Sequence, residues 1–333
     1  MRIFPSSMRS EFLQAIWYEG ASAPWWLRCG SVVYAGLRTL AQLPYRARLR
    51  RAQVLDVPVV VVGNLTVGGT GKTPLTIALV KALRARGFAV GVVSRGYGRS
   101  TRGVRLVHGS SSAAEVGDEP LLIARSTGAP VAVGEDRVAA ARRLLGAVVL
   151  DLLISDDGLE HLALPRCLEI VVVDGMRGFG NGRLLPAGPL RAPLTRLARA
   201  DLIVRNGGNA QPGEHYLHMV ASGLRRLRGG HLEALEGWRG RRAHVVAGTG
   251  NPARVFATAR AAGIDVIEHP QPDHVDYAAV GVPKFADGLP CITTEKDAVK
   301  LPELDGWYVL EVRTELDPGL IEQVVARITQ NRC

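Results

Sequence analysis

Short, almost continuously apolar runs alternate with helical stretches along most of the chain. Val57–Val62 (VPVVVV), Ala89–Val93, Val131–Val133, Leu150–Ser155, Ile170–Val173 and Leu202–Val204 are rich in β-branched residues and lack a polar face. That pattern predicts strands buried on both sides, because a half-exposed strand alternates apolar with polar positions. Between them, Pro74–Arg86, Glu119–Thr127 and Asp136–Leu145 read as helices. Strand–helix alternation predicts an α/β fold, a parallel sheet with helices on both faces. Gly207–Gly213 (GGNAQPG) is a turn-rich candidate hinge. Beyond it, His244–Ala247, Ile264–Glu268, Cys291–Thr293 and Tyr308–Val312 read as strands, with helices after the first and last. The expected organisation is a core over 53–210 and a smaller α/β lobe over 211–333. Residues 10–52 read as helical with a break near Pro24, which sets 1–52 apart as an amphipathic N-terminal segment.

Composition narrows the class. At 333 residues and 47% apolar, the chain can build a large core, which excludes a disordered protein. Cys29, Cys167, Cys291 and Cys333 lie far apart, too sparse for a disulfide framework or a thiolate zinc site. A reducing cytoplasm is the expected setting. No run of eighteen apolar residues predicts a spanning helix, and MRIFPSSMRSEF lacks the apolar core of a signal peptide.

The net charge of +10 is uneven. Residues 1–55 hold eight arginines against two acidic residues, interleaved with Trp17, Tyr18, Trp25, Trp26, Tyr34 and Tyr45. Such a segment suits an anionic membrane surface, nucleic acid, or a solvated helix packed on the core. Composition alone leaves the three open. No DNA- or RNA-binding module is recognisable, so nucleic acid is not expected as a partner.

The strongest local signal is Val59–Pro74, VVVVGNLTVGGTGKTP: a buried strand, a glycine-rich turn, then Gly71-Lys72-Thr73 opening a helix. Backbone N–H groups of such a loop wrap a polyphosphate, and the helix N-terminus favours negative charge. Thr66, Gly68, Gly69, Thr70, Gly71, Lys72 and Thr73 are the candidate nucleotide-binding residues. Lys72 would reach the β- and γ-phosphates and the Thr73 hydroxyl would ligate Mg²⁺. Thr66 stands where the strict P-loop pattern has glycine. A second carboxylate for the metal is offered by Asp156 or Asp157, at the end of an apolar strand in the Walker B manner. Ile170–Asp174 also ends in acid, so pattern alone does not choose between the two strands.

Three further clusters carry polar or charged groups at predicted strand ends and turns. Ser94-Arg95-Gly96-Tyr97-Gly98 follows the second strand, where ligands bind in open α/β sheets. Gly178–Arg191 (GFGNGRLLPAGPLR) places two arginines on a Gly- and Pro-rich loop, a means of clamping phosphate. Asp273-His274 lies in the Pro-rich turn PQPDHVDY.

Taken in order, VVVGNLTVGGTGKTP, SRGYGR, GDEP, SDDGLEH, VVVDGMRGFGNGRLLPAGPLR, PDHVDY and TTEKDAVKL resemble the tetraacyldisaccharide 4′-kinase family, from about residue 13 to 325. The resemblance implies a P-loop fold with two lobes and a cleft between them. It implies ATP- and Mg²⁺-dependent phosphorylation of the 4′-hydroxyl of tetraacyldisaccharide 1-phosphate, giving lipid IVA. It also implies a monotopic or peripheral position on the cytoplasmic face of the bacterial inner membrane, the reading under which the aromatic, arginine-rich start meets anionic lipid. A monomer is expected. Residue by residue, Lys72 and Thr73 match the family's phosphate and metal residues, and Asp156 and Asp157 its acidic pair. Asp118 matches the carboxylate that activates the acceptor hydroxyl, and His274 the histidine that pairs with it. Arg191 matches an arginine of the substrate and hinge loop; Asn64, Arg95 and Tyr97 complete the expected substrate contacts. The chain departs from the family pattern at Ala192, where Glu is common, and at Leu159-Glu160, where Phe-Gln is common. Glu160 is expected to add negative charge near the metal.

The alternative is a P-loop ATPase switch at the membrane surface. Its GTPase form is unsupported, since the nearest match to a guanine-reading NKxD is Thr294-Glu295-Lys296-Asp297, with the lysine one place late and no preceding Asn.

Overall fold

The computed structural model describes residues 6–47, 49 and 52–330. Two helices lead the chain, α1 (Ser6–Tyr18) and α2 (Trp25–Arg46). The helical reading of 10–52 therefore breaks around Pro24 as expected but runs too far, since α2 ends at Arg46. Next come β1 (Val59–Gly63), α3 (Lys72–Ala85), β2 (Val90–Ser94), β3 (Arg105–Leu106), α4 (Ala113–Val116) and α5 (Asp118–Thr127). They are followed by β4 (Val131–Val133), α6 (Arg137–Leu145), β5 (Leu152–Asp156), β6 (Leu168–Asp174) and β7 (Leu202–Asn206). The remainder holds β8 (His215–Arg226), β9 (Leu232–Glu233), β10 (Arg242–Ala247), α7 (Pro252–Ala261), β11 (Asp265–Pro270) and α8 (Tyr277–Val280). It ends with β12 (Cys291–Thr293), α9 (Glu295–Ala298), β13 (Trp307–Leu316) and α10 (Pro318–Gln330).

One sheet runs through the molecule in the order β11-β10-β12-β13-β8-β7-β6-β1-β5-β2-β4-β3, with β9 on β8. From β8 to β4 every ladder is parallel, as are those from β11 to β13. The two parallel blocks meet at the antiparallel β13–β8 ladder. β8 has no counterpart in the predicted elements. Its sequence, HYLHMVASGLRR, mixes polar with apolar positions because much of it is only half buried. Continuous apolarity, the signal that found the other strands, is missing there.

The central strands divide their side chains between two cores, as the two-residue period of a strand requires. Val60 and Val62 of β1, with Ile154 and Ile170, meet Leu75, Leu79 and Leu83 of α3 and Leu320 and Val324 of α10. Val59 and Val61, with Leu153 and Val171, face the other way onto Val138, Ala141 and Leu144 of α6. Fully burying each such side chain contributes about 1.5–3 kcal/mol. A separate core around Trp238, Val245, Phe256 and Ile292 supports the second block. The helix α3 forms because Leu75, Leu79 and Leu83 repeat at four-residue spacing, and Pro74 falls in the first turn, where a missing N–H is harmless. This packing delivers the C-terminal ends of β1, β5 and β6 to one edge, the edge at which parallel sheets carry their ligands.

Candidate active site

The loop between β1 and α3 crosses that edge. Gly71 caps α3 at φ 97°, and a Cβ there would lie 1.9 Å from Asn206 Nδ2. That amide donates to the Thr70 carbonyl at 2.9 Å, so Gly71 is required by both backbone conformation and a close neighbour. Lys72 Nζ donates to Asn64 Oδ1 at 3.2 Å and stands 3.8 Å from Asp157 Oδ1. Thr73 is buried in the first turn of α3. Thr66 is also buried and bridges to Leu190, so the position that departs from the strict P-loop pattern packs against the 178–191 segment.

The acidic pair divides into two environments. Asp157 lies in the left-handed region at φ 53°, a strained conformation for a non-glycine residue that surrounding contacts must hold. Arg191 supplies them, donating to both Asp157 carboxylate oxygens at 3.1 and 3.2 Å and to Asn64 Oδ1. Burial would raise the Asp157 carboxyl, but Lys72, Arg191 and Arg137 outweigh it and hold it at about 2. Asp156 is fully buried and accepts from Thr76 Oγ1 at 3.2 Å, while its Oδ2 has no hydrogen-bond partner among the described residues. Burial first, then Glu119, pushes its carboxyl up to about 7. The competing acid at the end of β6, Asp174, is committed elsewhere. It accepts from Asn251 Nδ2 at 3.0 Å, pairs with Arg254 at 2.6 Å and receives the Met176 and Arg177 N–H groups. Tertiary contacts thus separate two strand ends that look alike in sequence.

The second block brings its own residues to the same place. His274, at φ 58°, donates through Nδ1 to Asp118 at 3.1 Å, and its ring lies 4.9 Å from that of Tyr97. Asp118 stands at the start of α5, after Gly117. Burial alone would raise the Asp118 carboxyl, yet the His274 hydrogen bond, Lys296 and Lys300 together hold it below the usual carboxylate range. Burial opposes protonation of His274, but the same hydrogen bond lifts its pKa above the usual value. The same contact thus favours the charged form of both partners.

Lys296 and Lys300 belong to TTEKDAVKL, a stretch whose sequence gives neither lysine a role. Lys296 Nζ donates to Glu119 Oε1 at 3.1 Å and Asp273 Oδ1 at 3.0 Å, and Lys300 Nζ lies 3.7 Å from Asp118. Their four-residue spacing was the available signal, although α9 ends at Ala298 and Lys300 lies in the turn beyond it.

A cavity of about 1270 Å³ joins these groups. Val67–Pro74, Arg95, Tyr97, Glu119, Asp157 and Arg191 line it from one block; Thr249–Asn251, Asp273, His274 and Lys296 line it from the other. Asp118 and Asp156 lie just behind the wall. Asn64, expected to touch substrate, is buried away from the cavity and instead fixes Lys72 and Arg191. Glu160 does not turn toward the acidic pair as expected. It accepts from Arg38 at 3.1 Å and Gln42 at 3.5 Å on α2. Ala192 and Leu159 are both buried in the apolar core beneath the site.

The family model for tetraacyldisaccharide-1-P 4′-kinase matches residues 23–329. A tetraacyldisaccharide 4′-kinase of Alkalilimnicola ehrlichii is 48% identical over 308 residues, 91% of this chain and 92% of that one. The enzyme of the same name from Stenotrophomonas maltophilia is 44% identical over 95% of this chain and 96% of its own. Among solved structures, LpxK from Aquifex aeolicus in complex with ATP superposes with a TM-score of 0.74 at 28% identity, covering 90% of this chain and 96% of that one. With its P-loop, acidic pair and Asp118–His274 pair on one cavity, the chain belongs to the tetraacyldisaccharide 4′-kinase family.

Proposed function

We propose that the chain transfers the γ-phosphoryl group of ATP to the 4′-hydroxyl of tetraacyldisaccharide 1-phosphate, giving lipid IVA in lipid A biosynthesis. The observation that carries this reading is one cavity with the P-loop on one side and His274, backed by Asp118, on the other. The loop amides and Lys72 hold the nucleotide phosphates, and Arg191 screens the charge that spreads over the transferred group. Arg95 and Tyr97 line the acceptor side. The 4′-hydroxyl proton leaves onto the Asp118–His274 pair; a weak base suffices, because the loose transition state needs positioning more than basicity.

A magnesium ion fits the residues present. Among the described residues Asp156 Oδ2 is buried without a partner and its carboxyl is raised, and Thr73 is buried in the first turn of α3, one turn before Thr76, which donates to Asp156. Thr73 and Asp156 would hold the ion, with Asp157 alongside. When bound, Mg²⁺ neutralises charge on the phosphate oxygens.

The lipid acceptor calls for a membrane position, and α2 supports one. Leu27, Ser31, Tyr34, Arg38 and Gln42 turn inward, while Val32, Val33, Leu37, Leu40 and Leu43 are exposed, Val32 at 73%. A helix with its apolar face outward and polar groups inward suits a lipid interface. Trp25 and Trp26, both exposed, would sit at headgroup level. Arg38 is turned onto Glu160 and cannot face lipid; Arg2, Arg48, Arg50 and Arg51 lie outside the described residues. No helix among the described residues is long and apolar enough to cross a membrane. We place the chain on the cytoplasmic face of the inner membrane as a peripheral or monotopic monomer. The two expected lobes, 53–210 and 211–333, share one sheet, in which β8 continues the parallel block of the first.

The test is transfer of labelled γ-phosphate from ATP to tetraacyldisaccharide 1-phosphate in mixed micelles. Lys72→Ala should lower turnover by about two orders of magnitude or more. ATP hydrolysis without transfer would favour the membrane-surface ATPase instead.

A further inference from the structure

The segment 178–191 is held from two sides. On one side stand the N-terminal helices: the Asn181 N–H donates to the Trp17 carbonyl at 2.8 Å, and Ser31 Oγ donates to the Leu184 carbonyl at 2.7 Å. On the other stands the P-loop: the Val67 N–H donates to the Pro189 carbonyl at 2.9 Å, and the Arg191 N–H to the Leu65 carbonyl at 2.6 Å. The segment ends at Arg191, whose side chain grips Asp157. The Arg191 carbonyl accepts from the Tyr34 hydroxyl of α2 at 3.0 Å. One turn further along α2, Arg38 pairs with Glu160, in the same turn as Asp157. Two residues on one face of α2 therefore hold the Arg191 backbone and the loop that follows Asp157.

We propose that Tyr34 and Arg38 are positioning residues, through which α2 sets the placement of Arg191 and Asp157 and hence the phosphate end of the site. Asp157 keeps its strained backbone only while its neighbours over-determine it, and the Arg38–Glu160 pair fastens the turn just beyond it. Arg38 is well suited to this, because its side chain is only 12% exposed. Small displacements of phosphate-binding groups lower turnover steeply. The helix so placed is also the one with an outward apolar face. Seating α2 on a bilayer would then steady the nucleotide site directly as well as bring the enzyme to its lipid. This consequence rests on the lipid-kinase reading; the positioning role itself does not.

A charge-swap cycle on the full chain tests it. Arg38→Glu and Glu160→Arg are made singly and together, with Tyr34→Phe beside them. Fluorescent ATP-analogue affinity, kcat and KM for ATP in the micellar transfer assay, partition onto phosphatidylglycerol-containing vesicles, and thermal midpoint are measured. Each single reversal should weaken nucleotide affinity about fivefold and lower kcat about tenfold, with vesicle partition unchanged. The double variant should recover to within about threefold of the starting protein, and Tyr34→Phe should lose about threefold in kcat. Wild-type nucleotide affinity in both single reversals overturns the proposal. So do losses that the double variant fails to recover or that follow vesicle partition or thermal midpoint. Absence of transfer by the unaltered chain strikes the kinase reading alone, since the affinity cycle still decides the positioning role.

Discussion

Asp156 and Asp118 are both buried carboxylates behind the cavity wall; burial raises both, and their neighbours take them in opposite directions. The Asp156 carboxyl is raised to about 7 by burial and Glu119, so its folded pKa lies above its free value. Such an acid withdraws stability as pH rises from about 4 to 7 and leaves the fold strained above that range. Asp156→Asn should therefore raise the thermal midpoint at pH 8 by about 3–6 °C while abolishing transfer. Scanning calorimetry checks this; an unchanged or lower midpoint would mean that the charge is already satisfied. Asp118 is the converse case, because His274, Lys296 and Lys300 outweigh its burial. Asp118→Asn should keep the shape of the site and the KM for ATP but lower kcat by about 10²–10³. It should also let the His274 pKa fall, since the hydrogen bond that His274 donates to the Asp118 carboxylate is what lifts it. NMR titration of the histidine ring reads that shift. A His274 pKa unmoved by the substitution would detach it from Asp118.

Helix α2 inverts the arrangement of an ordinary surface helix, with hydrogen-bonding side chains packed inward and aliphatic ones in water. Its inward contacts are individually modest, since exposed or half-exposed polar pairs contribute about 0–1 kcal/mol. What they provide is register, fastening the helix to the 178–191 segment and to Glu160. The outward aliphatic side chains add nothing to the fold of the isolated chain. Leu37→Ser with Leu40→Ser should accordingly leave the thermal midpoint unchanged and weaken vesicle partition about tenfold or more. Flotation assays compare the two. A lowered midpoint with full vesicle binding would place that face against protein instead of lipid.

Across the whole molecule, the two parallel blocks of sheet are joined by the β13–β8 ladder and locked over the P-loop by a second set of contacts. The turn 248–254 carries Gly250, where a Cβ would lie 2.2 Å from the Gly69 N, so the two loops touch backbone to backbone. Arg177 donates to the Gly250 carbonyl at 2.8 Å, and Asp174 binds Asn251 and Arg254 from below. Asp174 is buried, and removing one partner of a buried charge pair leaves the other uncompensated. Asp174→Ala should lower unfolding free energy by about 3 kcal/mol in urea titration. An effect under about 1 kcal/mol would show that the blocks are held by the sheet ladder alone.

Much of this protein was written in its local sequence. Uninterrupted valine runs can only be strands covered on both faces, and a glycine turn closing on Gly71-Lys72-Thr73 can hardly do other than meet phosphate. Those signals are local, set by side-chain period and backbone freedom, and they placed β1, β5, β6 and α3 within a residue or two. Three things were decided by tertiary packing. The half-buried β8, whose mixed pattern gives no period to read, became the strand that welds the two blocks. The two acid-terminated strands were told apart by what surrounds them, with Arg254 and Asn251 claiming Asp174 and leaving Asp156 the acid with an oxygen to spare. Glu160 and Asn64 changed roles for the same reason. The direction of a side chain depends on residues more than a hundred positions away, such as Arg38 for Glu160 and Arg191 for Asn64. A sequence carries charge and spacing along one line; which charges meet is a property of the folded chain.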